Sequence, residues 1–219
     1  MADILTVESL KSFAADFVVR IQNNRIEELV GVTDGKAVGT YLEHHFKTFL
    51  ERRSIANDWG NSAHGIDLPT INTDIKFTSV KQPQSSLPYR DSKQKIFGLG
   101  YNLIVFVYHK DDSLNLNVTF PSVSFISKER TADYMLTKNI RTALSAPINA
   151  NEEDIYALLK DRNLPGDDVT YNQIVTEIMS NIPQQGYLTI SNALQWRAQY
   201  RRVIDVAGTV KGVEKVYAK

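Results

Sequence analysis

The sequence predicts an α/β fold, a central mixed sheet flanked by helices with a helical region at the C-terminal end. Three observations predict it. Apolar residues recur at helical spacing over 7–30 and 36–53, strand patterns fill 71–126, and helical periodicity returns after residue 128. With 219 residues, of which 42% are hydrophobic and 23% charged, the chain can bury a sizeable core.

The elements follow in order. Leu10, Phe13, Phe17, Ile21 and Leu29 form the apolar stripe of a first helix, and Asp34-Gly35 interrupts it. Val38, Leu42, Phe46, Phe49 and Leu50 form the stripe of the second. Residues 54–65 are rich in turn formers, and Gly65 to Pro69 is a short extended piece. Ile71 to Val80 alternates, with Ile71, Thr73, Ile75, Phe77 and Ser79 on one side and Asp74, Lys76 and Thr78 on the other. That is a half-buried strand with a polar face. Residues 81–92 read as a loop, followed by a short helix ending at Gly98. Tyr101 to Tyr108 is nearly continuous apolar sequence, the mark of a fully buried central strand. Leu114–Phe120 and Ser122–Ile126 read as two further strands. Helices are expected over 130–144, 152–162, 170–182 and 190–207.

The composition excludes several chemistries. There is no cysteine, so disulfides, thiolate metal sites and cysteine nucleophiles are ruled out. No apolar run reaches the roughly 18 residues a membrane helix needs, and Met1–Leu10 lacks the features of a signal peptide, so the cytoplasm is expected. The net charge is zero, which argues against a purely electrostatic nucleic-acid binder. The charge is segregated, however. Residues 76–110 and 184–219 are basic and 149–183 acidic, a pattern that suggests one basic face.

The chemistry-bearing stretch is Asp67-Leu-Pro-Thr-Ile-Asn-Thr-Asp74-Ile-Lys76. Asp74 and Lys76 are two apart on a strand and project from one face. A bend near Pro69 brings Asp67 towards Asp74. Two carboxylates can ligate magnesium, which binds through one or two such groups and retains several waters. The metal neutralises a phosphate and acidifies a bound water, and an adjacent ammonium stabilises the charge that develops. An Asp-x-Lys pair on a strand is also common as a solvated ion pair worth under about 1 kcal/mol, so spacing alone leaves both readings open.

The stretch resembles the metal site of the PD-(D/E)XK nuclease superfamily, closest to the branch of the mismatch-repair nicking endonuclease MutH and its restriction-enzyme relatives. Asp67-Leu68-Pro69 and Asp74-Ile75-Lys76 fill that pattern, with Asp at 74 where Glu is usual in the branch. Gly39-Thr-Tyr-Leu-Glu43 resembles the Gly-x-x-x-Glu helix that precedes the site. The resemblance covers about residues 35–110. It implies a restriction-endonuclease-like core over 1–128, with 129–219 completing it or serving DNA recognition or dimerisation. It further implies Mg²⁺ on Asp67 and Asp74, assistance from Glu43, and a nucleophile positioned by Lys76. The activity implied is that of a type II restriction enzyme, hydrolysing double-stranded DNA at a short site. A palindromic site implies a homodimer. A monomeric nicking or repair nuclease is the close variant.

Two stretches are candidates for DNA contact. Lys81, Gln82, Gln84, Ser85, Ser86, Tyr89 and Arg90 follow the lysine, where nucleases of this type approach DNA; they read equally as a polar surface loop. Residues 170–217 suggest a helix-turn-helix-like unit whose second helix carries Gln195, Arg197 and Arg201, with a strand or wing at 212–217. Its plainer reading is a basic helix packed on the core. That unit also supports a different function, a DNA-binding protein without cleavage activity. The four histidines form no metal-ligand pattern.

Overall fold

The computed structural model describes residues 4–53, 65–87, 91–191 and 196–219. Thr6 caps the first helix, α1 (Val7–Ile21), and the Asp34 carboxylate caps α2 (Gly35–Glu51) by accepting from the Lys36 and Ala37 amides. The strand and helix order continues as β1 (Thr73–Ser79), β2 (Gln84–Ser86), α3 (Gln94–Phe97), β3 (Asn102–Lys110) and β4 (Val118–Ile126). It ends with α4 (Tyr134–Leu144), α5 (Glu152–Asp161), α6 (Asp168–Ser180), β5 (Thr189–Ile190), β6 (Arg197–Gln199), α7 (Arg201–Val206) and β7 (Val213–Ala218).

The central sheet is mixed, in the order β1-β3-β4-β7. β1 runs parallel to β3, and the other pairs are antiparallel. This is the α/β architecture expected, compatible with a restriction-endonuclease-like core. β3 is buried on both faces. Ile104, Phe106 and Tyr108 pack beneath α1 and α2, while Leu103, Val105 and Val107 pack against the smaller sheet β2-β6-β5 and α7. A third apolar cluster joins α4, α5 and α6.

Four sequence expectations are corrected. The first helix stops at Ile21 rather than near 30, because the buried Asn117 side chain claims the Ile26 backbone: its Oδ1 accepts from Ile26 N–H and its Nδ2 donates to Ile26 C=O, each at 2.9 Å. Leu29 still reaches the core, from a 3₁₀ turn. The two strands expected over 114–126 are one. Pro121 interrupts no pairing, since the register with β3 shifts by one residue there, Phe120 and Pro121 lying between the pairs Thr119–His109 and Ser122–Val107. Within the loop expected over 81–92 lies β2. Lastly, the helix expected over 190–207 is replaced by β5, β6 and the short α7. From Trp196 to Tyr200 burial alternates with period two, Trp196, Ala198 and Tyr200 inward and Arg197 and Gln199 outward. Among the described residues no long helix follows α6, so they form no helix-turn-helix unit. The segment at 212–217 is no wing: β7 pairs with β4 and closes one edge of the central sheet.

The core on the helix side is a set of phenylalanines around Phe106, which is fully buried. Phe77 stacks on it at 4.3 Å, and Phe46, Phe17 and Phe120 meet it at 4.9, 6.2 and 6.4 Å. Because the stack locks β1 to β3, Phe106→Ala is expected to lower stability by about 3–5 kcal/mol in urea denaturation.

Candidate active site

The site forms where β1, an edge strand of the central sheet, meets the turn that precedes it. Leu68 and Thr73 exchange backbone hydrogen bonds, Leu68 N–H to Thr73 C=O at 2.9 Å and Thr73 N–H to Leu68 C=O at 3.1 Å. Between them, Pro69–Ile71 makes a 3₁₀ turn and Asn72 turns back in the left-handed region, at φ 47°. Pairing 68 with 73 places 67 beside 74 and 75. The Asp67 carboxylate accepts from the Ile75 amide through Oδ2, at 2.9 Å. The spacing between the two aspartates is therefore set by this tight turn.

Asp74 and Lys76 project from the face of β1 turned towards the smaller sheet, in register with Leu103 and Val105 of β3. Lys76 Nζ lies 2.6 Å from Asp74 Oδ2, and the Asp74 side chain is only 4% exposed. The solvated ion pair is thereby excluded. Burial pushes the Asp74 carboxyl up to about 7, with the Lys76 charge opposing and Asp67 reinforcing the rise. Burial also acts to raise Asp67, but hydrogen bonds from the Asp74 carboxyl, the Lys47 ammonium and the Ile75 amide leave it below the ordinary carboxylate range. Of the two carboxyls, Asp74 is therefore the one that holds a proton, up to about pH 7. Lys76 stays protonated: burial lowers its pKa, and Asp74 more than compensates.

Glu43 is held apart from this pair by a residue that the sequence reading missed. Lys47, one turn further along α2, places Nζ 2.7 Å from both Glu43 Oε1 and Asp67 Oδ1. The signal was present in the sequence, since Gly39, Glu43 and Lys47 lie four apart on one helical stripe. Gly39 explains why α2 comes so near: a Cβ there would lie 3.3 Å from the Phe77 carbonyl oxygen of β1. Among the described residues no three acidic or histidine side chains converge on one point. The candidate cation ligands are therefore two, Asp67 and Asp74, with Glu43 linked through Lys47. A proton held on Asp74 beside Asp67 and an ammonium bridging two carboxylates are what a divalent cation replaces, so the residues fit a hard cation that takes two carboxylates and keeps its waters.

A groove of about 730 Å³ opens alongside. Its wall includes Gly39, Glu43, Lys76, Gln82, Gln84, Ser85, Ser86 and Arg197, which brings both predicted DNA-contact stretches to one surface. The aspartate pair does not itself line this wall. Thr78, two residues beyond Lys76 on the same face, fastens β2 to β1: its hydroxyl accepts from Gln84 N–H at 2.9 Å and donates to Gln84 C=O at 3.0 Å. Lys81 is exposed in the turn after β1, outside the groove wall. Arg201 is exposed on α7, 3.6 Å from Asp205, and also outside the wall. Tyr89, Arg90 and Gln195 lie outside the described residues.

A family model described as type II restriction enzyme NspV matches residues 4–215. The chain belongs to the NspV type II restriction enzyme family. It is 48% identical over 217 residues to the type II restriction enzyme NspV of Nostoc sp. (strain ATCC 29411 / PCC 7524), covering 98% of this chain and 97% of that one. No solved structure matches. As a member of the NspV family the chain is a site-specific deoxyribonuclease. No helix among the described residues is long and apolar enough to cross a membrane.

The proton on Asp74 has a measurable consequence. Asp74 has a folded-state pKa above its ordinary value of 3.8, so its contribution to stability is full at low pH and is lost as pH rises through about 7. A divalent cation held by Asp74 would displace that proton. Calorimetry with Ca²⁺ in buffers of differing ionisation enthalpy is expected to read release of about one proton per cation at about pH 6, falling towards none above about pH 8.

Proposed function

We propose that this chain cuts double-stranded DNA at a short specific sequence through a Mg²⁺-dependent site of the PD-(D/E)XK type, related to the MutH branch. One observation carries the reading: a buried aspartate that holds its proton up to about pH 7 lies between a second aspartate and a half-buried lysine, beside a groove lined with polar side chains. A protein that only binds DNA has no chemical need for that arrangement. In the reaction, Asp67 and Asp74 hold the cation, and the Ile75 amide and the Leu68–Thr73 pairing fix the direction of the Asp67 carboxylate. When bound, Mg²⁺ supplies charge neutralisation and an acidified water. Lys76 points its ammonium at the attacking oxygen and the scissile phosphate, stabilising negative charge where it grows. Glu43 assists from α2, directly or through water.

The groove takes the duplex backbone next to Lys76. Residues 1–128 supply the catalytic elements, and 129–219 complete the core through β7 and the recognition surface through β6. A palindromic target fits a two-fold homodimer. The cytoplasm suits an enzyme whose substrate is intracellular duplex DNA.

The test is digestion of mixed plasmid and phage DNA with and without Mg²⁺, followed by sequencing of the ends. Discrete fragments with one shared end sequence are expected only with Mg²⁺. Lys76→Ala should lose cleavage by about 10²–10³-fold while retaining binding in Ca²⁺. Undiminished cleavage by Asp74→Ala would remove Asp74 from the site.

A further inference from the structure

The smaller sheet presents a face that catalysis does not use. β2 and β6 pair antiparallel, with Gln84 opposite Gln199, Ser85 opposite Ala198 and Ser86 opposite Arg197. Opposed residues share a face of the sheet, about 5 Å apart at Cβ. On the inner face Ala198 is buried and the Ser85 hydroxyl meets the Tyr200 hydroxyl. Gln84, Ser86, Arg197 and Gln199 are therefore on the outer face, and Thr189 of β5 extends the glutamine row by pairing with Gln199. Among the described residues the side chains of Gln84, Gln199 and Arg197 make no intramolecular hydrogen bond.

We propose that this outer face reads base edges, with Gln84 and Gln199 recognising adenine and Arg197 recognising guanine. A primary amide matches the donor and acceptor of adenine N6 and N7, and a guanidinium matches the two acceptors of guanine, O6 and N7. The major groove admits a two-stranded antiparallel ribbon, here β2 and β6. The face carries a single charge in its two rows. A surface that only follows phosphates needs a ladder of lysines and arginines instead. Gln84, Ser86 and Arg197 line the same groove as Lys76, and Thr78 bonds both backbone groups of Gln84. Lys76 and Thr78 are two residues apart on one strand, about 7 Å, so the readers address base pairs adjacent to the phosphate at Lys76. The inner face is packed on Val105 and Val107 of β3 through one apolar cluster, so the rows are held on a rigid base.

The proposal rests on the duplex-cutting reading above, and its test separates the two. The full chain and the variants Gln84→Glu, Gln199→Glu and Arg197→Gln digest a randomised duplex library in Mg²⁺, and the cut molecules are sequenced. Gln84→Glu and Gln199→Glu keep the size of the side chain and Arg197→Gln shortens an exposed one, so an unchanged melting temperature is expected. Each should lose discrimination by about 10-fold or more at one symmetric pair of positions, A·T for the glutamine variants and G·C for the arginine variant. Rates that fall evenly over all sequences, or unaltered base preferences, overturn base reading and leave the nuclease intact. A wild-type chain that cuts nothing overturns the nuclease reading instead. Selection of bound duplexes from the same library in Ca²⁺ then decides base reading by the same position-by-position criterion.

Discussion

Asp74 and Lys76 lose most of their water on the face of β1, and much of the surrounding architecture compensates that loss. A buried charge is tolerated when it is paired and hydrogen-bonded. Asp74 meets Lys76 at 2.6 Å and keeps a proton beside Asp67. Asp67 is steadied in turn by the Ile75 amide and by Lys47. The turn at Pro69–Asn72 and the close approach of α2 at Gly39 both serve this compensation. Behind it, the Phe77–Phe106 stack holds the strand on the sheet, so that apolar packing on one face of β1 supports the polar set on the other.

Much of this was legible in the sequence because strand alternation is a local property. Asp74, Lys76 and Thr78 were placed on one face from period two alone, and the continuous apolar run of Tyr101–Tyr108 marked the central strand. The Gly39–Glu43 motif now has a physical sense, a glycine where helix meets strand and a carboxylate one turn later at the edge of the sheet. The proximity of Asp67 to Asp74 was inferred from a bend at Pro69, and the structure supplies its cause in the Leu68–Thr73 pairing.

What was not legible depended on distant partners or competing periodicities. Nothing near Ile26 announces that Asn117, 91 residues on, claims its backbone. Helical spacing sets Lys47 beside Glu43, but nothing local announces its second partner, Asp67, 20 residues on. The C-terminal segment reads as a helix because Leu194, Val203 and Ile204, with arginines spaced through 190–207, suggest one, whereas Trp196–Tyr200 already alternates. Arg197 accordingly occupies a strand in the groove rather than a recognition helix. The basic character of the segment was read correctly, but its geometry was not.

Lys47 gives the site a balance of its own. Glu43, Asp67 and Asp74 with the one proton on Asp74 carry two negative charges, and Lys47 and Lys76 carry two positive ones. Below about pH 7, while Asp74 keeps its proton, the unloaded cluster is electroneutral. Exchanging the proton for a divalent cation leaves one surplus positive charge, the amount that a single phosphodiester cancels. A cation bound there and nucleic acid would then favour each other's arrival thermodynamically, each completing a neutrality that the other disturbs. In the absence of both, the enzyme is a folded, self-compensated object with little electrostatic reason to seize either alone.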